Sequence, residues 1–521
     1  MVAAQVYKQA AAGSATQSPG IGVLILMRTK LFAVSLLLAL VPCESAVAIG
    51  ARTHAEIARM AVDTYLKHDV MLPGLAALFD SDDNMRALYS GCAFPDWGYG
   101  LGSGDAAEYS HWHPFMERYA SLLQRRFPPP WDAEAQRQIS FFFGVVSHNI
   151  SDIPWHFCEE AHKSFLQAGF DVDGAGHSEI EFACDYFLYV ERALEPSIAL
   201  DAWFPIDLLL DVFDGSGYNV TRADLKRGTA RSRAMFFGGW MAGGVQYQRQ
   251  KARMPWVHAH YGDYYYGGKE HGAAITASMT RYYYARLQGW RYYQNTPEYA
   301  AHARSGGKYV PRLHISETHL SKARPDHNAG GEPFLIIGGE KEARSNGLVR
   351  VVLGDVSPDF EPGAAQLWLY CAGVDGAASG VLTAYRILRP WRAGSGVSDD
   401  VSGTEGHPAV KDEANWRQSG VEQWTAPGCE GPDTDYVATP VAAVPLPDVS
   451  DAGDWISLDV TDAVTHWLAR PDENHGLLLR LECDDENAPI ARFFSSHAFK
   501  GREDGLCGGR RVAFRPVLIL R

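Results

Sequence analysis

The periodicity of apolar residues changes once along this 521-residue chain, and that change limits what the chain can fold into. From Thr53 to about Leu287, apolar residues recur at three- and four-residue spacing, the period of a helix with one buried face. From about Leu313 onward the chain breaks into short runs of strand-forming residues, several of them alternating apolar and polar. The pattern predicts an all-α region followed by an antiparallel, jelly-roll-like β-sandwich.

A chain of this length is too long for one hydrophobic core, so we expect more than one domain. Gly, Pro and charged residues punctuate residues 295–312, which we interpret as a linker. The predicted helical domain therefore spans residues 49–294, and the predicted sandwich spans residues 313–521.

The first 48 residues have the composition of a targeting segment. A basic start precedes a short apolar run over residues 31–41, and a small-x-small cleavage site ends at Ala48. The apolar run is too short to cross a bilayer, and no later segment is long and apolar enough. We expect residues 27–48 to be a signal peptide cleaved after Ala48, with residues 1–26 as either an over-extended start or a leader. The mature protein would be secreted or periplasmic, without a transmembrane anchor.

The formal net charge of −15 bears on the class of partner. Nucleic-acid binding usually depends on Lys and Arg that displace counterions from phosphates, so a nucleic-acid partner is not expected. This charge does not exclude a phosphodiester substrate, because bound cations reverse the sign of the local field. The eight cysteines contain no CxxC pair, so a cysteine-based zinc finger is not expected either.

Three pairs in the helical half place a histidine and a carboxylate four positions apart. His148, Asp152 and His156 supply two pairs, and His177 with Glu181 supplies the third. Four residues make about one helical turn, so both members of a pair project from one face, although a proline leaves the direction of His156 open. Imidazole and carboxylate are ligands of catalytic zinc, but one such pair is more often a surface hydrogen bond. Two such helices favour a metal site without settling it.

A series of short motifs extends this pattern along the helical half. They are Gly50-Ala-Arg-Thr-His54-Ala-Glu-Ile-Ala, Ala93-Phe-Pro-Asp96, Ser110-His111-Trp112-His113-Pro-Phe, Pro130-Trp131, Phe143-Gly-Val-Val-Ser-His148, Trp155-His156 and His177-Ser-x-x-Glu181-Phe-x-x-Asp185. In their order and spacing, the segment from Ile49 to about Val190 resembles the zinc-dependent phospholipase C superfamily. Within it, the resemblance is greatest to the catalytic domain of glycosylphosphatidylinositol-specific phospholipase D. Each motif alone is weak evidence for this resemblance, but the motifs together are specific to the family.

The resemblance implies three Zn2+ ions, with ligands carried over residue by residue. One zinc would take Asp96, His111, His148 and Asp152. A second would take His156, His177 and Glu181. The third would take His54, Asp152 as a bridge, and the α-amino nitrogen and carbonyl oxygen of Ile49, which cleavage after Ala48 would free.

The resemblance also implies roles for other residues. Zinc would activate a water that attacks phosphorus, and Asp96 is the candidate general base or only a ligand. His113 is expected to support a ligand or to contact substrate. It also competes with His111 for the ligand position, and the spacing favours His111. Asp185 is expected to support a ligand or to be structural.

Strand-rich motifs continue through the second half. Those that carry a resemblance are Thr318-His-Leu, Asp326-His-Asn328-Ala-Gly330, Ala365-Gln-Leu-Trp-Leu-Tyr370, Trp455-Ile-Ser-Leu-Asp-Val-Thr461, Val464-Thr-His-Trp467 and Phe493-Phe-Ser-Ser-His497. The region resembles the DNRLRE-type β-sandwich modules, which are associated with extracellular enzymes and carbohydrate binding. A glycan contact is therefore implied, and a purely structural sandwich remains an equal alternative, because tryptophans at strand positions are more often core.

The sequence thus predicts a secreted zinc-dependent phosphodiesterase of the phospholipase C or D type. Its substrate would be a phospholipid or glycosylated inositol lipid at a membrane surface. A single-strand nuclease on the same trinuclear scaffold is the alternative within enzymes. A non-catalytic extracellular binding protein with a vestigial metal site is the alternative outside them.

Overall fold

The computed structural model describes ten stretches of the chain. They are residues 50–157, 163–192, 202–295, 314–357, 360–376, 380–399, 403–446, 453–483, 488–498 and 508–521. The predicted signal peptide, its cleavage position and Ile49 lie outside the described residues, and so does the predicted linker apart from Asn295.

The first part of the structure is helical, as predicted. Its helices are α1 (Ala51–Ala61), α2 (Asp82–Cys92), α3 (Gly104–Ser110), α4 (His113–Arg126), α5 (Ala133–His156), α6 (Phe165–Asp173), α7 (His177–Glu191), α8 (Ile206–Phe213), α9 (Arg222–Arg253), α10 (Pro255–His260) and α11 (Lys269–Leu287). A π-helical turn, Val62–Leu66, extends α1, and short 3₁₀ segments lie at Ala76–Asp80 and Pro95–Gly98.

Helix α5 is the central helix of this region, and nearly all of its residues from Gln138 to Trp155 are buried. The Asp132 side chain caps its N-terminus by accepting from the Ala135 backbone N–H at 2.9 Å. Helices α2 and α5 cross at a pair of glycines, because a Cβ atom on Gly91 or on Gly144 would lie 2.0 Å from a backbone oxygen of the other helix. This close approach brings the C-terminal end of α2 against α5.

The second part is an antiparallel sheet, which confirms the predicted change of architecture. Its strands are β1 (Arg291–Tyr293), β2 (Ile315–Ser321), β4 (Phe334–Gly338), β5 (Ser345–Val351), β6 (Ala365–Asp375), β7 (Val381–Arg386), β9 (Ala442–Pro445), β10 (Asp454–Asp459), β11 (Leu477–Glu482), β12 (Ile490–Phe494) and β13 (Val517–Leu520). The strand order is β1-β13-β6-β12-β4-β5-β11-β7-β9, with β10 beside β6 and β2 beside β5. Strands β3 (His327–Asn328) and β8 (His407–Pro408) form a separate pair.

Three short helices complete the sheet region. They are α12 (Thr461–Ala469), the 3₁₀ turn Pro471–Glu473, and α13 (Gly508–Arg511) continued by the 3₁₀ turn Val512–Phe514 as one helical segment. Apolar side chains on the inner faces of the sheet, with those of α12, form a core of their own. The sheet region therefore has the buried interior that alternating strands predict.

The helical and sheet regions nevertheless share a core. Strand β1 follows α11 directly and pairs with β13, and Val517 and Ile519 of β13 pack in the main core of the helical region. The guanidinium of Arg281 on α11 is buried, with Nε 2.6 Å from Asp69 Oδ2 and Nη1 donating to the Ala513 carbonyl at 2.9 Å. Accordingly, the described residues from Gly50 to Arg521 belong to one compact unit, and the boundary near residue 294 stays a prediction.

Two further expectations concern the described residues. Among them, no helix is long and apolar enough to cross a membrane. Among the described cysteines, Cys92, Cys184, Cys371 and Cys429 are buried and carry free thiols. Cys158 and Cys507 lie outside the described ranges.

Candidate metal centre

Three groups of histidine and carboxylate side chains meet in the helical region. Within each group the candidate ligand atoms lie within 4.8 Å of one another. The groups are His54, His148 and Asp152; Asp96, His111 and His148; and His156, His177 and Glu181. Because His148 belongs to two of them, the first two groups adjoin.

Asp152 lies at the junction of the groups. Its Oδ1 atom is 3.4 Å from Nε2 of His54 and 3.4 Å from Nε2 of His156, and its Oδ2 atom is 3.6 Å from Nε2 of His148. His148, Asp152 and His156 share one face of α5, since the helix continues through Pro154 as far as His156. The direction of His156, left open by the sequence, is therefore toward the other ligands.

The other side chains come from separate elements. Asp96 lies in the 3₁₀ turn Pro95–Gly98, and its Oδ1 atom is 3.3 Å from Nε2 of His111, which follows α3. At the start of α7, Nε2 of His177 is 2.7 Å from Oε1 of Glu181. That carboxylate oxygen is also 3.5 Å from Nε2 of His156, which connects α7 to α5.

Three of the histidines are oriented through their Nδ1 atoms. His148 donates from Nδ1 to the Cys92 carbonyl at 2.6 Å, and His111 donates to the Ala107 carbonyl at 2.8 Å. His54 Nδ1 is 3.2 Å from the Ser151 hydroxyl, which already donates to the carbonyl one helical turn before it and so accepts from the imidazole. These bonds leave each Nε2 atom facing the centre, as a metal-ligating histidine requires.

Two of the carboxylates are held in the charged form. Burial opposes the charge on Asp152, but the neighbouring His156 and His148 outweigh burial and set its pKa well below the ordinary value. Burial likewise opposes the charge on Asp96, but the neighbouring His111 and His148 outweigh burial and lower its pKa. In contrast, burial raises the pKa of Glu181 well above its ordinary value, with the charge of His156 opposing.

The pKa values of the histidines are also shifted in opposite directions. Burial and the adjacent His54 lower the pKa of His148 to about 3, so its imidazole is neutral and its Nε2 lone pair is available. The rings of His54 and His148 stack with centroids 3.7 Å apart. Burial also lowers the pKa of His177. For His111 the opposing effect of burial is outweighed by Asp96, which raises its pKa.

The unmet hydrogen-bonding capacity of these groups fits a metal. Buried atoms facing the centre have no hydrogen-bond partner among the described residues; they are Nε2 of His54, His111, His148 and His156, both carboxylate oxygens of Asp96, Oδ1 of Asp152 and Oε2 of Glu181. Leaving one buried polar atom unpaired costs on the order of 1–3 kcal/mol. Nitrogen and oxygen atoms concentrated in this way form the donor set that zinc prefers.

Asp185 and His113 lie outside the three groups. The Asp185 carboxylate accepts hydrogen bonds from the backbone N–H of Arg52 at 3.3 Å and of Thr53 at 2.8 Å, so it caps α1 just before His54. His113 begins α4, with its Nε2 atom 3.7 Å from Oε1 of Glu117. Of the two histidines that flank Trp112, His111 is therefore the one beside Asp96.

A cavity of about 170 Å³ opens beside the metal groups. Its walls include residues that the motifs did not single out as functional; they are Tyr99, Glu108, Trp112, Asn149, Ile153 and Phe157. The two oxygens of Glu108 accept from the Trp112 indole N–H at 2.8 Å and the Tyr99 hydroxyl at 2.7 Å, which fixes both rings at the wall. The cavity is thus lined by both candidate metal ligands and aromatic side chains.

Comparison with known proteins identifies the scaffold. Residues 53–210 match the family described as zinc dependent phospholipase C. The match contains every described member of the three groups, from His54 to Glu181. This match supports the resemblance of the helical region to the zinc-dependent phospholipase C superfamily.

Curated relatives of this zinc-dependent phospholipase C region share one name, phosphatidylinositol-glycan-specific phospholipase D. The Dictyostelium discoideum protein is 28% identical over 279 residues, which cover 51% of this chain and 28% of the relative. The Rattus norvegicus protein is 25% identical over 272 residues, 48% of this chain and 31% of the relative. The Homo sapiens protein is 26% identical over 147 residues, 28% of this chain and 17% of the relative. The chain therefore spans less than a third of the length of these relatives.

The sheet region that follows the zinc-dependent phospholipase C region has one match of its own. Residues 436–511 match the family described as TGF-beta propeptide. That match covers part of the sheet region and does not test the resemblance to DNRLRE-type modules, which stays a prediction.

Proposed function

We propose that this chain is a zinc-dependent phosphodiester hydrolase acting on phospholipids or glycosylated inositol lipids. The observation that carries the proposal is the convergence of three His/carboxylate groups on Asp152, in a region that matches a family of zinc-dependent phospholipases. The named relatives add a glycosylated inositol lipid as the first substrate to test.

The described residues would hold zinc in the three groups. Asp96, His111 and His148 would share one ion with Asp152, and His156, His177 and Glu181 would hold another. His54 and Asp152 would hold a third ion, and the α-amino and carbonyl groups of Ile49, after cleavage at Ala48, would complete that site. An α-amino group has an ordinary pKa near ~8 and binds metal only when deprotonated, which a neighbouring cation favours.

Bound zinc would withdraw electron density from the phosphoryl oxygens and lower the pKa of a water. The chain's own contribution is orientation, because the Nδ1 hydrogen bonds hold the imidazoles of His54, His111 and His148 toward the centre. Asp96 has a lowered pKa and is the candidate to accept the proton of the attacking water. The aromatic wall of Trp112 and Phe157 would contact the apolar part of a lipid next to its phosphate.

A nuclease on the same scaffold is the second candidate. Trp112 and Phe157 lie with ring centroids 6.2 Å apart, and aromatic rings at a site mouth also stack nucleobases. The net charge of −15 favours the lipid, because nucleic-acid strands are usually bound by a positively charged groove.

We also propose that the protein is exported, since cleavage after Ala48 would create the third zinc site. For the sheet region, a glycan contact stays a prediction without support from its described tryptophans. Those tryptophans are buried or half-buried: Trp368, Trp391, Trp416, Trp424, Trp455 and Trp467. This burial favours the structural interpretation of their role.

Product analysis tests the proposed function. The purified chain would be incubated with phosphatidylcholine, phosphatidylinositol, a glycosylated inositol lipid and single-stranded DNA, and the products identified by mass spectrometry. Diacylglycerol indicates C-type cleavage and phosphatidic acid indicates D-type cleavage. His148→Gln should abolish hydrolysis, whereas His327→Gln, on β3 of the sheet region, should not. Hydrolysis of DNA alone would overturn the lipid assignment, and a chain without zinc and without turnover would favour a binding protein.

A further inference from the structure

Helix α9 (Arg222–Arg253) differs in charge from the rest of the chain. Its 32 residues contain eight Lys and Arg side chains and one acidic side chain, Asp224. The chain as a whole carries a net charge of −15. At 1.5 Å per residue the helix extends for about 48 Å, so it concentrates positive charge along one long element of an acidic protein.

The exposed positions of α9 form one continuous face. They recur at three- and four-residue spacing; among them are Lys226, Arg227, Ala230, Arg233, Ala234, Trp240, Met241, Gly244, Val245, Arg249 and Arg253. The centre of this face is apolar, with Trp240 41%, Met241 45% and Val245 79% exposed. Basic side chains lie on both sides of the apolar centre.

The opposite face of α9 packs against the enzyme. A Cβ atom on Gly228 would lie 3.0 Å from the Trp97 side chain, and one on Gly239 would lie 2.5 Å from the Tyr189 ring, so glycines permit close contact. The Tyr189 hydroxyl donates to the Phe236 carbonyl at 3.0 Å. Because this inner face already packs in the fold, the outward face is left for another contact.

The charges of the outward face are only partly neutralised. Arg227 pairs with Asp224, and Arg253 Nη2 lies 3.7 Å from Glu179. Lys226 and Arg249, one on each side of the apolar centre, are exposed and form no ion pair within the described part of the chain. An exposed apolar patch between free basic side chains complements a surface that is anionic outside and apolar beneath.

We propose that the outward face of α9 is a membrane-contact surface for bilayers that contain anionic phospholipid. Lys226 and Arg249 would contact lipid phosphates, while Trp240 and Met241 would enter the headgroup region beside the acyl chains. This contact goes beyond the proposed function and needs no turnover.

The contact would also hold the metal centre near the bilayer. Arg231 of α9 donates from Nη1 to the Asp96 carbonyl at 3.0 Å. Helix α7, which carries His177 and Glu181 at its start, packs on α9 through Tyr189 near its end. A membrane bound at α9 is thereby kept at a fixed distance from the candidate catalytic residues.

Vesicle sedimentation of the full chain tests this proposal. The probes are phosphatidylcholine vesicles with and without phosphatidylglycerol, at low ionic strength. The unaltered chain should bind the anionic vesicles at least about tenfold more tightly than the neutral ones. The double variants Trp240→Ser/Met241→Ser and Lys226→Glu/Arg249→Glu should each weaken anionic-vesicle binding about tenfold or more.

Matched controls separate this surface from general effects. Val410 and Val421 are exposed on the sheet region, so Val410→Ser/Val421→Ser should bind vesicles normally, as should Lys411→Glu. Zinc content and the thermal midpoint report on folding of each variant. Equal binding to both vesicle types, or unimpaired binding by the Trp240/Met241 variant, would overturn the proposal. So would a monomer–dimer equilibrium of the unaltered chain that only the α9 variants abolish, since it would assign the face to self-association. Because binding is measured without turnover, a failure of the proposed catalytic function would not alter these results.

Discussion

The carboxylate of Asp185 accepts two hydrogen bonds from Thr53, one from the backbone N–H at 2.8 Å and one from the hydroxyl at 2.8 Å. Both join the middle of α7 to the first turn of α1, and His54 is the next residue. Gly50 is needed beside them, because a Cβ atom there would lie 2.2 Å from the Asp185 carboxyl carbon.

We expect Asp185→Ala to displace α1 and lower zinc content by about one ion per chain, with a loss of roughly 1–3 kcal/mol of unfolding free energy. Metal analysis and urea unfolding measure the two effects. Asp462→Ala, in the first turn of α12, is the matched control and should leave zinc content unchanged. Full zinc content in the Asp185 variant would contradict the assigned role.

Asp152 lies among three imidazoles, so its substitution should affect more than one ion. We expect Asp152→Asn to lose zinc from at least two groups and to reduce turnover by more than about a hundredfold, since changing even an outer partner of a ligand costs ten- to a hundredfold. Zinc analysis per chain is the measurement. Asp171→Asn, on the exposed surface of α6, controls for loss of one carboxylate.

The crossing of α2 and α5 can be tested at Gly144. A methyl group there would lie 2.0 Å from the Leu88 carbonyl oxygen, so Gly144→Ala should separate the helices and destabilise the protein by about 1–3 kcal/mol or more. The matched control is Gly244→Ala, which has open space around its Cβ position and should be stabilised by about 0.5–1 kcal/mol. Denaturant unfolding distinguishes the opposite signs.

Glu317 on β2 should make the stability of the protein depend on pH, and this effect does not involve metal. Burial raises the pKa of its carboxyl to about 7, against the hydrogen bonds that Ser496 donates to it. In the unfolded chain the group titrates near its ordinary value of 4.5. Between these two values the folded state binds more protons than the unfolded state. The contribution of Glu317 to the free energy of unfolding is therefore complete below pH 4.5 and is lost as the pH rises to 7. The total loss is about 3 kcal/mol.

Unfolding free energies measured across this pH window test the sign. The difference between the unaltered chain and Glu317→Gln should change by about 1.4 kcal/mol per pH unit below pH 7 and level off above it. Glu342→Gln, at an exposed carboxylate, should show no such difference. A constant difference across the window would refute the assignment of the raised pKa to Glu317.

The N-terminal ligand yields a further prediction. We expect a chain that begins at Ile49 to bind one more zinc than a chain with an added Met before Ile49, because the extension moves the α-amino group away from His54. Zinc analysis of the two proteins provides the comparison. A tag at the other terminus is the control, and equal zinc content in all three would exclude the α-amino group as a ligand.

The shared face of His148 and Asp152 on α5 follows from the amino-acid sequence alone, since i, i+4 spacing depends only on helical geometry. The sequence does not show which other elements face His148. Those neighbours depend on the glycine contact between α2 and α5, which brings the Cys92 carbonyl to the His148 imidazole. Periodicity cannot report such a tertiary contact. Similarly, Pro154 left the direction of His156 open, whereas the structure keeps His156 on α5.

The aromatic wall of the cavity could not be predicted from the sequence for a related reason. Trp112 lay within a motif, but nothing in its spacing indicated that Glu108 would bind its indole and the Tyr99 hydroxyl together. The position of β1 could not be predicted from the sequence either. Three residues are too few for a strand signal, and this strand is stabilised by pairing with residues more than two hundred positions later.

That pairing has a consequence for synthesis of the protein. Val517 and Ile519 pack among the helices, and the Arg281 guanidinium donates to the Ala513 carbonyl. The core of the helical region is therefore complete only after the sheet region has been synthesised. A nascent chain that contains only the helices would expose apolar surface to chaperones and proteases. Premature termination in the sheet would therefore remove the metal centre as well, although no ligand residue is missing.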